Sequence, residues 1–193
     1  MSSFPKIWFL RHGETYWNAE KRIQGQLESE LTPRGIEDAE RQARLMPPIL
    51  AQNPPCFVSN LGRAQQTARI ALKGAQFETD NRLAEAHAGD WQGLLHMDVR
   101  RANPDVLSMD TTALDLFTRA PNGETAVQFQ TRIEGFMAEL TQPAVVVAHG
   151  LLGQVMRGLI CGLAWDEMGH LPNEQGCVYV LENGTETILR ETD

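Results

Sequence analysis

Ile7-Trp8-Phe9-Leu10-Arg11-His12-Gly13-Glu14-Thr15 is a run of four apolar residues that ends in an arginine, a histidine and a glycine. Such a run, closed by Gly within three positions, has the pattern of a strand buried on both faces. The polar residues begin where that strand should end, so Arg11 and His12 are delivered together at its carboxyl end. Ala144-Val145-Val146-Val147-Ala148-His149-Gly150 repeats the grammar with a β-branched run that stops on His-Gly. In an open α/β sheet ligands sit outside the carboxyl ends of the strands. If these two strands are neighbours, His12 and His149 face each other there.

The segments between follow from local signals. Residues 14–20 are expected to form a short helix whose amino terminus lies beside His12, with free amides pointing into the same space. After a polar loop over 21–31, Thr32-Pro33 supplies a hydroxyl cap and a first-turn Pro for a helix to about residue 45, which Pro47-Pro48 should end. Residues 56–59 read as a strand, 63–72 as a helix closed by Gly74, and 76–79 as a third strand. A loop over 81–93 carries Glu85, His87, Gly89 and Trp91, and 94–118 is weakly helical, broken at Pro104 and lid-like. The clearest amphipathic helix spans 124–140, because Phe129, Ile133, Phe136 and Leu140 share a face. A helix over 151–163 and a hairpin around Asn183-Gly184, a type I′ signal, complete the chain. Asn183-Gly184-Thr185 also fits a glycosylation sequon, but the turn reading is preferred. Strands alternating with helices predict an α/β layered fold with a mainly parallel sheet.

Composition sets the bounds. The 193 residues suit one domain with a sizeable core, read as 1–193, and 42% hydrophobic against 22% charged residues is ordinary for a globular chain. The opening Met1-Ser2-Ser3-Phe4-Pro5-Lys6 lacks the pattern of a secretory signal, and no apolar run is long enough for a membrane span, so a cytoplasmic location is expected. Cys56, Cys161 and Cys177, an odd set without Cys-x-x-Cys spacing, fit buried thiols in a reducing compartment. Seventeen basic residues against 25 acidic, a formal charge of -8, argue against a nucleic-acid partner. A small ligand in a locally basic pocket remains compatible with that charge, since distant charges are screened. A homodimer is left open.

With Arg11-His12-Gly13-Glu14-Thr15, the sequence carries Trp17-Asn18, Arg22-x-Gln24-Gly25, Leu31-Thr32-x-x-Gly35 and Ser59-x-Leu61-x-Arg63-Ala64-x-Gln66-Thr67-Ala68. Leu83-x-Glu85, Gly89-x-Trp91-x-Gly93, Gly123-Glu124-Thr125 and Ala148-His149-Gly150 follow. In this order the set resembles the histidine phosphatase superfamily, also called phosphoglycerate mutase-like, across nearly the whole chain. The resemblance implies a three-layer sandwich with helices on both faces of the sheet. It implies His12 as the nucleophile that takes the phosphoryl group, Arg11, Arg63 and His149 as catalytic groups holding its oxygens, and Glu85 as general acid and base. Asn18, Gln24, Gly25 and Gly150 are implied as further phosphate contacts, with Glu14 and Glu124 in support. The implied reaction is metal-independent and cofactor-free hydrolysis of a small phosphorylated metabolite. A phosphoglycerate-type mutase and a non-catalytic phospho-ligand binder are the alternatives; the mutases of this family usually have a longer insertion after the acid-bearing loop.

The chemistry suits those residue types independently. Phosphoryl transfer needs position and positive charge on the equatorial oxygens, which guanidinium forks provide as paired donors. A neutral imidazole is a nucleophile near pH 7, and a phosphohistidine divides one hard hydrolysis into two transfers. An alkoxide leaves poorly, so Glu85 is expected to protonate it, with an adjacent phosphate dianion favouring the protonated carboxyl. Glu14 reads better as a helix amino-terminal acid than as a catalyst, and His87 as an exposed loop histidine. His96 and His170 carry no signal. Trp17 and Trp91 are expected to pack. Asn60, Glu30 and Leu151-Leu152 depart from the family pattern in ways that bear on substrate fit, Leu151-Leu152 narrowing the site if they point inward.

Overall fold

The computed structural model describes residues 4–191; Met1 to Ser3, part of the opening read above for a leader, lie outside them. The apolar stretch quoted first is strand β1, Ile7–Arg11. It is followed by helices α1 (Tyr16–Ala19), α2 (Pro33–Leu45) and α3 (Pro47–Leu50), then by strand β2 (Cys56–Ser59), helix α4 (Gly62–Ala71) and strand β3 (Glu78–Asp80). Two single-turn 3₁₀ segments precede helices α5 (His96–Ala102), α6 (Ala113–Thr118) and α7 (Ala126–Ala138). Strand β4 (Ala144–Ala148), helices α8 (Gly150–Cys161) and α9 (Trp165–Met168), and strands β5 (Val178–Glu182) and β6 (Thr185–Leu189) complete the chain.

The six strands form one sheet in the order β3-β2-β4-β1-β5-β6. The first four are parallel, β5 runs antiparallel to β1, and β6 turns back antiparallel to β5. Each strand of the centre feeds both faces. Ile7, Phe9, Val146 and Ala148 pack with α7 and α8 on one side. Trp8, Leu10, Val145 and Val147 pack with α3 and α4 on the other, and α2 lies against α4. Period-two alternation through a sheet covered on both sides therefore produces three layers.

Local chemistry sets most boundaries. Thr32 caps α2 by accepting the N–H of Gly35, and Pro33 occupies the first turn. Thr125 caps α7, whose Phe129, Ile133 and Phe136 are buried; each such side chain contributes about 1.5–3 kcal/mol relative to exposure. Asn183 and Gly184 both have positive φ, 52° and 76°, as a type I′ turn requires. Pro47-Pro48 end α2 but start α3, because a proline at the first position of a helix lacks only an N–H that would be unpaired anyway. The third strand is displaced to Glu78–Asp80, where it pairs with β2 from Phe57 to Ser59. No helix among the described residues is long and apolar enough to cross a membrane.

Candidate active site

β1 and β4 are adjacent and parallel, in register from Ile7 with Ala144 to Arg11 with Ala148. The chain leaves β1 toward the α2 and α4 layer and leaves β4 into α8 on the opposite layer. Two neighbouring strands whose exits diverge open a crevice at their carboxyl ends. His12 stands there, tied by its N–H to the Ala148 carbonyl at 2.9 Å, and its ring centroid lies 5.1 Å from that of His149.

The expected residues converge unevenly. Arg11, His12, Asn18, Gln24, Gly25, Arg63, Glu85 and Gly150 line one cleft of about 220 Å³. His149 is fully buried against His12, behind that lining. A larger groove of about 560 Å³ lies along α2 and residues 174–177, but three of its arginines are already paired: Arg41 with Asp38, Arg44 with Glu191 and Arg190 with Glu174. The smaller cleft is the one lined by a buried polar atom without a partner among the described residues, Arg11 Nε.

His12 Nδ1 contacts its neighbour's carbonyl, Gly13 O, at 2.7 Å, and Nε2 receives the Nε–H of Arg63 at 3.3 Å. A guanidinium can only donate, so Nε2 carries a lone pair and Nδ1 the proton. Burial, then Arg63, then Arg11 hold the His12 pKa well below its ordinary value, and His149 is lowered chiefly by burial and Arg63. Both rings are therefore neutral at pH 7. Arg63 also donates to the carbonyls of Leu27 and Gly25, at 2.9 and 2.7 Å; burial brings it down to about 10, which leaves it cationic at neutral pH. Arg11 is anchored by a bond to the Asn173 carbonyl, and desolvation lowers it too. Arg11 Nε and His149 Nδ1 are buried without a hydrogen-bond partner among the described residues. Buried polar atoms of this kind call for an occupant.

Glu85 sits at the amino end of α8 as a buried acceptor, while nearby Arg82 pairs with Asp80 and Glu139. Its Oε2 accepts the N–H of Leu151 and its Oε1 those of Leu152 and Ala86, all at 3.0 Å. Oε1 thereby spends both of its lone pairs, whereas Oε2 keeps one. The Glu85 carbonyl is held by Arg132 and Gln26, and Arg132 in turn grips both oxygens of Glu124, at 2.6 and 3.0 Å. Glu124 thus supports the loop that carries Glu85 without lining the cleft.

Gln24 turns its amide nitrogen to Thr15 Oγ1 (3.0 Å) and its oxygen to Arg63 Nη1 and Ser29 N (3.2 Å each), so the protein already uses it. Asn18 closes a capping box with Thr15. Glu14 departs from expectation: α1 begins after Thr15, and the Glu14 carboxylate accepts the hydroxyl of Thr32, the cap of α2, at 2.9 Å. The helix starts later because Thr15 is the residue with a capping hydroxyl. Beside it, main chain meets main chain: a Cβ on Gly13 would come within 2.0 Å of the Gly35 carbonyl oxygen, and one on Gly35 within 2.0 Å of Glu14 O.

His87 is not an exposed histidine; its Nδ1 accepts the N–H of Gly89 at 3.2 Å and shapes the loop. Trp91 is buried in the core, as expected of a packing residue. Leu151 borders the cleft, whereas Leu152 turns into the core.

Sequence reasoning missed several residues. His96, with Phe117 at a ring separation of 5.9 Å, forms a wall of the cleft. It is placed by a nonlocal pairing in which the N–H of Ile23 meets Leu94 O and that of His96 meets Lys21 O. Asn173, Arg132 and the contact of Ser59 with His149 likewise depend on tertiary approach, and no spacing in the sequence announces them.

Residues 7–190 match the histidine phosphatase superfamily (branch 1). The chain is 34% identical over 189 residues to the glucosyl-3-phosphoglycerate phosphatase of Mycolicibacterium vanbaalenii, covering 87% of this chain and 80% of that one. It is 33% identical over 181 residues to the adenosylcobalamin/alpha-ribazole phosphatase of Escherichia coli (strain K12), covering 89% and 87%. Its fold superposes on the crystal structure of a putative alpha-ribazole-5'-P phosphatase from Escherichia coli K-12 with a TM-score of 0.78 at 27% identity, covering 97% of each chain. With a family match that takes in both strand-end histidines and relatives aligned over most of their length, the chain belongs to the histidine phosphatase superfamily.

Proposed function

We propose that this chain is a single-domain phosphatase that hydrolyses a small phosphomonoester through a phosphohistidine on His12. The observation that carries the reading is the Nε2 lone pair of a neutral, buried His12, met only by the long 3.3 Å contact from Arg63 Nε–H, beside the cations Arg11 and Arg63. The named phosphatases among its relatives support the same reaction class.

In the first step Nε2 of His12 attacks phosphorus and the bond from phosphorus to the ester oxygen breaks. The electron pair leaves with that oxygen, which takes the proton of a protonated Glu85. The charge gained by the imidazole is shared through Nδ1–H with the Gly13 carbonyl. In the second step the Glu85 carboxylate accepts a proton from water, the water oxygen attacks phosphorus, and the electron pair of the P–N bond returns to Nε2. Phosphate leaves and both residues regain their starting states. Arg11 and Arg63 supply charge to the equatorial oxygens throughout. A cleft of about 220 Å³ suits a phosphoryl group with a small leaving group, and His96, Ala113, Phe117 and Leu151 border the latter.

Rapid quench into alkaline detergent with a labelled phosphomonoester tests this. Acid-labile, base-stable label is expected on the protein and absent from His12→Ala; label that persists in that variant refutes the mechanism. With 3-phosphoglycerate, isomer formation that outruns phosphate release would make the enzyme a mutase instead.

A further inference from the structure

Ser59 ends β2 and is fully buried, and its hydroxyl touches two groups: it accepts the N–H of Leu61 at 3.2 Å and lies 2.7 Å from Nε2 of His149. A hydroxyl has one proton to give and two lone pairs to receive. If Nε2 of His149 carried the ring proton, both lone pairs of Ser59 would be occupied by N–H donors. The serine proton would then have no acceptor among the described residues, and Nδ1 would be a second bare lone pair. If Ser59 donates to Nε2 instead, every proton on the β2 side is placed. The ring proton then sits on Nδ1, the buried atom without a partner.

We infer that Ser59 is a positioning residue that fixes the tautomer of His149, so that this ring offers a neutral Nδ1–H donor to the phosphoryl oxygens beside His12. The two imidazoles then present opposite functions from rings 5.1 Å apart. His12 shows a lone pair, because its own Nδ1 proton is spent on Gly13. His149 shows a proton, because its Nε2 lone pair is spent on Ser59. The wrong tautomer at His149 would turn a lone pair toward an anion and compete with His12 for the same electrophile. Burial beside Arg63, His12, Arg132 and Arg11 keeps the ring uncharged, so only the tautomer decides what it offers. Its placement at the end of the strand next to β4 lets Ser59 act on the site without touching it.

The inference rests on the phosphatase reading only for its consequence, and its test requires no turnover. Long-range ¹H–¹⁵N correlation spectra of the histidine rings at pH 7.5, with His149 assigned by loss of its signals in His149→Asn, should show His149 protonated at Nδ1. In Ser59→Ala that preference should be lost, and binding of inorganic phosphate should weaken about three- to tenfold, the worth of one neutral hydrogen bond. Ser59→Thr, which keeps the hydroxyl, should restore both. Wild-type His149 protonated at Nε2, or a Ser59→Ala variant with unchanged tautomer and phosphate affinity, would overturn the assignment. A phosphohistidine missing from a protein with these spectra would count against the mechanism and leave the tautomer standing.

Discussion

Two imidazoles buried beside two guanidinium groups make the fold sensitive to acid. His12 and His149 have pKa values below their ordinary 6.5 in the folded chain, chiefly through desolvation and then through Arg63. Between those lowered values and 6.5 the unfolded chain binds more protons than the folded one, so stability rises with pH there. Their contribution is complete above 6.5 and is lost as pH falls toward the folded values. The melting temperature of the ligand-free protein should therefore fall between pH 7.5 and 5, and His149→Asn should make the fall shallower. Saturating inorganic phosphate should flatten it as well, since an anion in the cleft favours the imidazolium forms. Thermal scans across pH with and without phosphate check this; an identical slope in the variant would contradict it. At this scale the sequence exposes residues whose placement is local. His12 and His149 can be found because each ends an apolar run, and Arg63 because a cation at a helix start is out of place without an anion. His96 cannot, since its position depends on the pairing of residues 21–23 with 94–96.

Among the elements, α7 joins the core to the loop that carries Glu85. Its buried face was legible as Phe129, Ile133 and Phe136 at helical spacing, whereas its contribution to the site comes from Arg132, off that face. Arg132 donates to the carbonyls of Arg82 and Glu85, grips Glu124, and lies over the Phe129 ring at 4.7 Å. Arg132→Met should leave Glu124 unpaired and lower stability by about 3 kcal/mol. It should also reduce kcat about tenfold with little change in KM, because Glu85 loses its alignment while Arg11 and Arg63, the proposed phosphate ligands, keep theirs; general acid–base help is worth about 10² to 10⁴. Steady-state kinetics on p-nitrophenyl phosphate separate the two parameters, and a pure KM effect would argue against this role. The weakly helical stretch over 94–118 resolves into α5 and α6, too short for their apolar spacing to identify them before the walls they form are seen.

Across the whole molecule, the antiparallel hairpin of β5 and β6 is bound to the cleft through a buried cation. Arg157 of α8 pairs with Glu186 of β6, stacks on the Tyr179 ring at 4.0 Å and donates to the Pro172 carbonyl at 2.6 Å. The next carbonyl, that of Asn173, anchors Arg11. Arg157→Met should cost about 3 kcal/mol, or roughly 6–12 °C in Tm for a chain of this size, and raise KM severalfold. Pairing it with Glu186→Leu should recover stability but not KM, since Pro172 O then keeps only the Tyr179 hydroxyl at 3.3 Å and lacks the guanidinium; calorimetry and kinetics on both variants test the separation. The hairpin's turn could be read from Asn183-Gly184, and the layered plan from alternating strands and helices. Strand order could not, because the neighbours of β1 lie more than a hundred positions away in the chain. The glycine-to-glycine seat of Gly13 on Gly35 has a consequence for descent. Because backbone abuts backbone, no rotamer can absorb an added methyl, and the floor under His12 is closed to drift. The wall built by α5 and α6 has no such lock, so a lineage of this chain is free to exchange leaving groups while its reaction stays the same.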